Sequence, residues 1–509
     1  MTLSRCGGVL LHPTSLPGRC GIGDLGKNAH RFVDFLHRAG LNLWQILPLS
    51  PTGYGNSPYQ ALSTFAGNPL WISLEKLVED ELLAPGDLNH AADFPALKVD
   101  FAKVTAFHSA ITTRAFEKYS SSARHSLKAA FETFCHNNHN WLEEYALFRA
   151  LKSIHKECAW VEWPIELVHR KPSALNVAAD KLAREIETIK FQQFLFFRQW
   201  DELRAYAKEK GVRIVGDVPI FVAHDSVDVW TNQHLFHLDK TGRPTHVAGV
   251  PPDYFSETGQ LWGNPLYDWR KMSEDNYAWW VSRMKSLFSL VDIIRLDHFR
   301  GFEAYWSVPA EEETAINGQW LKGPGFEFFD ELVAQIGELP IIAEDLGVIT
   351  EEVEALRDHY GFPGMKVLQF AFGDTDAANA FLPYNYERNC VVYTGTHDND
   401  ATISWFKGES ESTDSPKVHK KQVEHALKYL GTTGENIHWD FIRLAFSSVA
   451  NLAIVPMQDV LGLGKGYRMN MPGSSAGNWE WRFEWEQLTD DVISKLTETT
   501  ALYGRKNVT

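Results

Sequence analysis

The chain has 509 residues and contains 49 Lys+Arg against 65 Asp+Glu, which gives a formal net charge of −16 at pH 7. With 44% hydrophobic and 22% charged residues its composition is that of a globular protein, which excludes the intrinsically disordered and collagen-like classes. The acidic surplus and the lack of a long Lys/Arg run argue against nucleic acid as a partner.

The five cysteines are scattered along the chain, and none forms a Cys-x-x-Cys pair. This usage favours a reducing compartment, so we expect a cytoplasmic protein, and it offers no ligand spacing for structural zinc. No apolar run approaches the ~18 residues of a membrane-spanning helix, and the first residues contain no long apolar signal segment. The sequence therefore predicts neither a membrane anchor nor a secretion signal, and it leaves the oligomeric state open.

Eight short β-rich runs follow one another along the chain. Each begins with nearly continuous apolar residues, as in strands buried on both faces of a parallel sheet, and most then run into polar or acidic residues. The runs cover residues 7–13, 41–49, 212–222, 291–299, 340–347, 365–372, 390–399 and 451–460. Their alternation with helical segments favours an α/β fold of the (β/α)8 TIM barrel type over a doubly wound sheet.

The segment 340–372 shows the repeating unit most clearly. After the strand PIIAEDLG, Thr350 predicts a helix N-cap, an acidic first turn follows, and Gly361 ends the helix before the next strand. Comparable helices are predicted over about 28–39 and 191–210.

Two intervals are too long for simple crossovers and predict large, mainly helical insertions between strands 2 and 3 and between strands 3 and 4. The predicted division is 1–74 for the first two strands, 75–187 for a helical insertion, 188–223 for the third strand, 224–290 for a loop-rich insertion, and 291–509 for strands four to eight with the C-terminal segment. Insertions at the carboxyl ends of barrel strands surround the active site.

Acidic residues recur where the runs end, at Asp217, Asp297, Glu344 with Asp345, and Asp398 with Asp400. Singly, each is equally well explained as a helix cap or a salt-bridge partner. In a barrel they would meet at one mouth, and glycosidic cleavage needs two carboxyl groups flanking the bond. Strand alternation places Arg295 on the same side as Asp297, where it can keep that aspartate charged. Of Glu344 and Asp345 only one can face the centre, and strand geometry leaves open which.

The chain is rich in aromatic residues, with 18 Trp, 16 Tyr and 31 Phe. Loops at 53–60, 251–265 and 468–479 combine rings with small polar residues, which favours ligand contact, and sugar is a plausible ligand because Trp and Tyr stack on apolar faces. Core packing and ordinary turns are the alternative. The G-x-G-x-x-G match at 21–26 does not leave a strand directly, and His234 and His237 lack a third ligand, so we predict no nucleotide cofactor and no metal.

Seven segments together resemble one family. They are GYGNSPYQ, GDVPIFV, GVPPDYFSETGQLWGNP, RLDHFRGFEAYW, AEDLG, TGTHDND and RMNMPG, in chain order. On these segments the sequence is similar to the amylomaltases, the 4-α-glucanotransferases or disproportionating enzymes of the α-amylase-like barrel group, and most similar to their short bacterial type. The resemblance implies that Asp297 is the nucleophile, Glu344 the general acid/base and Asp398 the carboxylate that stabilises the transition state. It thereby chooses Glu344 over Asp345.

The resemblance also implies substrate contacts around the scissile bond or the gating loop, at Tyr59, Asp217, Asp253, Trp262, Arg295, His397 and Asn470. The implied reaction is a retaining double displacement that transfers α-1,4-glucan segments to the 4-hydroxyl of an acceptor, with cyclic glucans arising from intramolecular transfer, and it requires no cofactor. The partners are then α-1,4-glucans and malto-oligosaccharides, and the loop 251–264 would be a lid. For retention, the two reacting carboxyl groups should lie about 5 to 5.5 Å apart. The alternatives are an α-glucan hydrolase of the same fold and a noncatalytic glucan-binding protein.

Overall fold

The protein is described from a computed structural model that covers residues 4–121, 125–252, 256–373, 376–409, 416–474 and 476–506. Its strands are β1 Cys6–Leu10, β2 Leu43–Gln45, β3 Arg213–Pro219, β4 His246–Val250, β5 Gln260–Pro265, β6 Ile293–Asp297, β7 Ala304–Pro309, β8 Gln319–Lys322, β9 Ile341–Ala343, β10 Gly364–Val367, β11 Cys390–Tyr393 and β12 Leu452–Pro456.

The helices of the described ranges are α1 Lys27–Arg38, α2 Leu74–Glu79, α3 Phe101–Ser121, α4 His125–Asn137, α5 His139–Ile154, α6 Ile165–Val168, α7 Pro172–Lys181, α8 Ala183–Glu209, α9 Val227–Thr231, α10 Trp269–Glu274, α11 Ala278–Leu290, α12 Gly325–Ile336, α13 Glu351–His359, α14 Thr402–Lys407, α15 Pro416–Leu430, α16 Ile437–Ser447, α17 Met457–Val460 and α18 Asp490–Leu502. Within these ranges every helix is too short or too polar to cross a lipid bilayer.

Eight strands form a parallel barrel in the order β10-β11-β12-β1-β2-β3-β6-β9. The barrel closes where the Ala343 amide, at the end of β9, donates to the Pro363 carbonyl just before β10, at 3.0 Å. The strands β1 and β2 approach so closely that a Cβ at Gly8 would lie 2.6 Å from the Leu43 carbonyl oxygen, so only glycine fits there. Each predicted run overlaps one barrel strand, although β1 and β10 each begin one residue before their runs, and the (β/α)8 fold is confirmed.

Helix α1 shows how the sequence encodes the outer layer. Its residues Ala29, Phe32, Val33 and Leu36 recur at helical spacing, and all are buried against the barrel. The prediction of a helix over about 28–39 is therefore confirmed. The predicted helix over 191–210 is also present, but it begins earlier, at Ala183, because α8 packs against α5 of the first insertion.

The insertion between β3 and β6 is not purely helical. It carries β4 and β5, which join β7 and β8 in a four-stranded antiparallel sheet of order β5-β4-β7-β8. The sequence did not predict this sheet because β5 and β8 are largely solvent-exposed and lack a continuous apolar run. The division of the chain at 187/188 stays a prediction, and α8 spans that boundary.

A buried arginine joins the first and last barrel strands at their amino-terminal ends. Arg505 follows α18 and is 0% exposed. Its guanidinium donates to the carbonyl oxygens of Cys6 at 2.9 Å, Asn451 at 3.2 Å and Phe446 at 2.8 Å. These carbonyls belong to β1, to the residue before β12 and to α16, so one side chain ties three elements together.

Candidate active site

The carboxyl ends of β3 and β6 carry a buried ionic cluster. Asp217 and Arg295 are register partners on these neighbouring strands. The Arg295 Nη1 donates to both carboxylate oxygens of Asp217 at 2.8 Å and lies 2.8 Å from Asp297 Oδ1. The alternation that places Arg295 and Asp297 on one side of the strand is therefore confirmed.

Burial and ion pairing act in opposite directions within this cluster. Burial alone would lower the pKa of Arg295, but the carboxylates of Asp217 and Asp297 raise it well above its usual value. Burial raises the pKa of Asp217, and Arg295 opposes that shift. The guanidinium is thus permanently charged and lies where it stabilises negative charge on Asp297.

Tyr59 completes this side of the mouth. Its hydroxyl donates to Asp217 Oδ2 at 2.9 Å, and burial holds its pKa well above the usual value, so the proton stays on the phenol. The ring of Tyr59 stacks on that of His397, with centroids 5.2 Å apart, and tilts against Trp479 at 5.9 Å. Two predicted contact residues, Tyr59 and His397, therefore touch each other.

Glu344 follows β9 and is 9% exposed. Its Oε2 accepts from the amide of His298 at 2.7 Å, and its Oε1 accepts from the amide of Leu346 at 3.0 Å. Burial, and then repulsion from Asp297, raise the pKa of Glu344 to about 8, although Arg295 and the two amides oppose the shift. Near neutral pH this carboxyl group is mostly protonated beside a carboxylate, which is the pairing that acid and nucleophile roles require.

The structure separates Glu344 from its neighbour Asp345, which the strand pattern left open. Asp345 forms an ion pair with Arg357 of α13 at 2.5 Å and accepts from the Met365 amide of β10 at 2.7 Å. These contacts hold Asp345 between the barrel and its helix layer. Glu344 is therefore the residue that lies with Asp297 at the mouth.

Asp398 lies in the segment after β11, and 44% of its side chain is exposed. Asn470 donates to its Oδ1 at 2.6 Å, and the His397 Nε2 lies 3.4 Å from the same oxygen. The Arg468 guanidinium donates to the main-chain carbonyl of Asp398. A distant segment, 468–470, thus positions this carboxylate.

Trp262 lies on β5 and reaches the site through His298. The two rings meet edge to face with centroids 4.8 Å apart. His298 adopts a left-handed backbone conformation, with φ 52°, and burial lowers its pKa to about 4. Asp253, also a predicted contact, lies outside the described residues.

Three residues of this site were missed by sequence reasoning. The amides of His298 and Leu346 bind Glu344, and Arg468 binds the Asp398 carbonyl, but none of the three was selected from the sequence. Arg468 stands inside the segment RMNMPG, which gave a signal; the two amides had none, because any residue supplies a main-chain donor. In the described part of the chain no three His, Cys, Asp or Glu side chains are arranged to hold a metal ion.

A family model described as 4-alpha-glucanotransferase matches residues 11–489. This chain belongs to the 4-alpha-glucanotransferase family. The match covers almost the whole length, so the resemblance carried by the seven segments is confirmed. The protein is therefore an enzyme of the transferase class.

Relatives support the same assignment along the full chain. A 4-alpha-glucanotransferase of Synechocystis sp. is 52% identical over 506 residues, which cover 99% of this chain and 98% of the relative. That of Thermus thermophilus is 49% identical over 504 residues, covering 97% of this chain and 98% of the relative. A solved amylomaltase of Streptococcus agalactiae in complex with acarbose superposes on this chain with a TM-score of 0.94 at 38% identity. The superposition covers 99% of this chain and 100% of the amylomaltase.

Proposed function

We propose that Asp297, Glu344 and Asp398 catalyse a retaining transfer of α-1,4-glucan segments. In the first step an Asp297 carboxylate oxygen attacks C1 of the donor sugar. The bond from C1 to the leaving 4-oxygen breaks, and the Glu344 proton goes to that oxygen. The products are the donor glucan segment esterified to Asp297 through C1, an ionised Glu344 and the leaving glucan fragment with a free 4-hydroxyl.

The second step reverses the roles of the same groups. Formation of the ester removes the negative charge of Asp297, so the repulsion that adds to burial in keeping Glu344 protonated is lost, its pKa falls and Glu344 becomes the base. It takes the proton of an acceptor 4-hydroxyl, whose oxygen attacks C1 and breaks the ester. The Asp297 carboxylate is restored, and the new bond has the original configuration.

The remaining side chains assist these steps without exchanging protons. Arg295 binds Asp217, to which Tyr59 also donates, and its ion pair with Asp297 holds the nucleophile in place. Asp398, held by Asn470 beside His397, stabilises the positive charge that develops on the sugar ring in the transition state.

Transfer requires that a sugar hydroxyl outcompete water for the ester. An acceptor held in attack geometry gains effective molarity, and a ring that covers the site excludes solvent. We assign the cover to the lid segment 251–264, whose Trp262 contacts His298. The substrates are α-1,4-glucans and malto-oligosaccharides, and the acarbose complex of the Streptococcus agalactiae amylomaltase supports this class.

The observation that carries the proposal is a carboxyl group of raised pKa, Glu344, beside the charged pair Arg295–Asp297. Incubation of the purified protein with maltotriose alone tests it. A glucanotransferase yields glucose together with chains longer than maltotriose. Shorter sugars only would indicate a hydrolase, and an unchanged substrate would indicate a binding protein.

A cytoplasmic location is part of the same proposal. All five cysteines are free thiols, and those at positions 6, 20 and 390 are buried. Reduced thiols are usual in the cytosol, where glutathione and thioredoxin act. Fractionation of cells that express the protein would test the location.

A further inference from the structure

A buried carboxylate outside the charged cluster ties together two ends of the segment that carries Asp398. Asp459 lies in α17, just beyond β12, and is 1% exposed. Its Oδ2 accepts from the hydroxyls of Thr394 at 2.5 Å and Thr402 at 2.8 Å, and its Oδ1 accepts from the Thr402 amide at 2.7 Å. Each carboxylate oxygen is therefore used.

The two threonines mark the limits of one active-site segment. Thr394 directly follows β11, and Thr402 is the first residue of α14. The residues between them, 395–401, include His397 and Asp398. One carboxylate from the neighbouring strand end thus fixes the distance between the two ends of this segment.

Contacts within the segment and a contact from Gln369 hold its middle part. The Asn399 Oδ1 accepts from both the amide and the hydroxyl of Thr396 at 2.9 Å, and Gln369 donates to the Asp400 carbonyl at 2.8 Å. Asn470 and Arg468 bind Asp398 from outside the segment, and the path of the segment sets where these contacts form. A shift at either end of the segment would move that carboxylate.

A simple helix cap does not account for these contacts. A cap of α14 needs only the bond from the Thr402 amide, which Asp459 Oδ1 accepts. The bond from Thr394, the residue directly after the barrel strand β11, satisfies no group of the helix. The carboxylate therefore connects the barrel to α14 in addition to capping it.

We propose that Asp459 is a positioning residue for catalysis, which sets the place of Asp398 and His397 by clamping Thr394 to Thr402. This inference rests on the role proposed for Asp398. It assigns no proton transfer to Asp459, which acts only through the segment 395–401.

Three variants test the clamp, namely Asp459→Asn, Thr394→Val and the double variant. Each is assayed on maltotriose for kcat and KM, and the rate is divided by the fraction of active sites that a fluorinated glucosyl fluoride labels covalently. A displacement of about 1 Å can cost about a hundredfold in rate, so we expect kcat per labelled site to fall about a hundredfold in Asp459→Asn and about tenfold in Thr394→Val. KM should stay within about threefold, because the carboxylate acts mainly in the transition state. The double variant should be no slower than Asp459→Asn.

Thr64→Val provides the matched control. The Thr64 hydroxyl donates to another buried carboxylate, Asp228, at 2.7 Å, so the chemistry of the lost bond is the same, but it lies outside the segment 395–401. The melting temperature of Thr64→Val should fall as far as that of Thr394→Val. The kcat per labelled site of Thr64→Val should stay within about twofold of the wild type, because lost stability alone lowers only the labelled fraction.

Unchanged kcat per labelled site in both Asp459→Asn and Thr394→Val would overturn the proposal. Because Thr394→Val replaces a hydroxyl by a methyl group of similar size, it keeps the test decisive if Asp459→Asn does not fold. If the wild type itself neither becomes labelled nor lengthens maltotriose, the proposed function fails instead.

Discussion

The two sides of the barrel mouth hold their carboxylates by different means. Asp297 stands at the end of β6 and is aligned by Arg295, which is itself locked to Asp217 on the adjacent strand. Asp398 stands on a segment beyond its strand, is 44% exposed, and depends on Asn470 and Arg468 from a distant segment. Strand register thus positions the first carboxylate, whereas side-chain contacts position the second.

This difference separates chemistry that must be rigid from chemistry that can adjust. The nucleophile must meet C1 at bonding distance, and parallel strands provide a fixed frame for it. The Asp398 carboxylate needs to approach the sugar ring only as charge develops there. A segment outside the barrel strands can allow the glucan substrate to enter. Substitutions on the strand side should therefore cost more than substitutions on the segment side.

Asp297→Asn should have the largest effect. Without a charged nucleophile no ester forms, so kcat should fall by about four orders of magnitude or more, while the affinity for maltotriose changes little. Steady-state kinetics and calorimetric titration measure the two quantities. Asp292→Asn, next to the opposite end of the same strand, should lower only the melting temperature. Substantial turnover by Asp297→Asn would remove this aspartate from the proposed role.

Glu344→Gln should lower the maltotriose rate by about two to four orders of magnitude, because proton transfer to the leaving oxygen is lost. Ester formation from α-glucosyl fluoride, whose fluoride leaves without a proton, should fall much less.

The wild-type kcat/KM should decline as pH rises through about 8, because Glu344 donates only while protonated and burial raises its pKa to about 8. That alkaline decline should persist in Asp345→Asn; its persistence in Glu344→Gln would contradict the assignment.

Asn470→Ala sharpens the comparison on the segment side. Loss of the hydrogen bond to Asp398 Oδ1 at 2.6 Å should lower kcat about tenfold, the usual cost of one bond to a charged group. KM should change less than kcat. A loss as large as that of Asp297→Asn would show that the two sides of the mouth are equally rigid and would remove the distinction drawn above.

Trp262→Ala should have the smallest effect on total rate and a selective effect on products. Opening the cover over the ester admits water, so the ratio of hydrolysis to transfer should rise a few-fold, by about the amount that one aromatic contact contributes. Product analysis by chromatography measures the ratio. Trp320→Ala, in the same antiparallel sheet, is the control and should leave the ratio unchanged. If both variants give the wild-type ratio, the lid role of Trp262 is wrong.

The sequence predicted the barrel because each buried strand leaves its own apolar run, and a helix such as α1 leaves apolar residues at helical spacing. It did not predict β5 and β8, which are exposed and held by pairing with β4 and β7. Pairing partners distant in the chain leave no local pattern.

The site residues likewise divide into those that the local sequence pattern predicts and those that it does not. Strand alternation anticipated the pair Arg295–Asp297. It could not choose between Glu344 and Asp345, because that choice depends on Arg357 of a helix folded against the barrel. The left-handed conformation of His298 and the buried contacts of Asp459 likewise arise only from tertiary packing, and the family resemblance did not include them.

The ties made by Arg505 bear on how the protein is made by the ribosome. Strand β1 is synthesised before the other barrel strands, yet its neighbour β12 and the arginine that binds next to both are synthesised after all the others. The edge of β1 that faces β12 therefore stays unpaired until this last barrel strand has emerged. Translational arrest before β12 would leave that edge exposed and open to pairing with another chain.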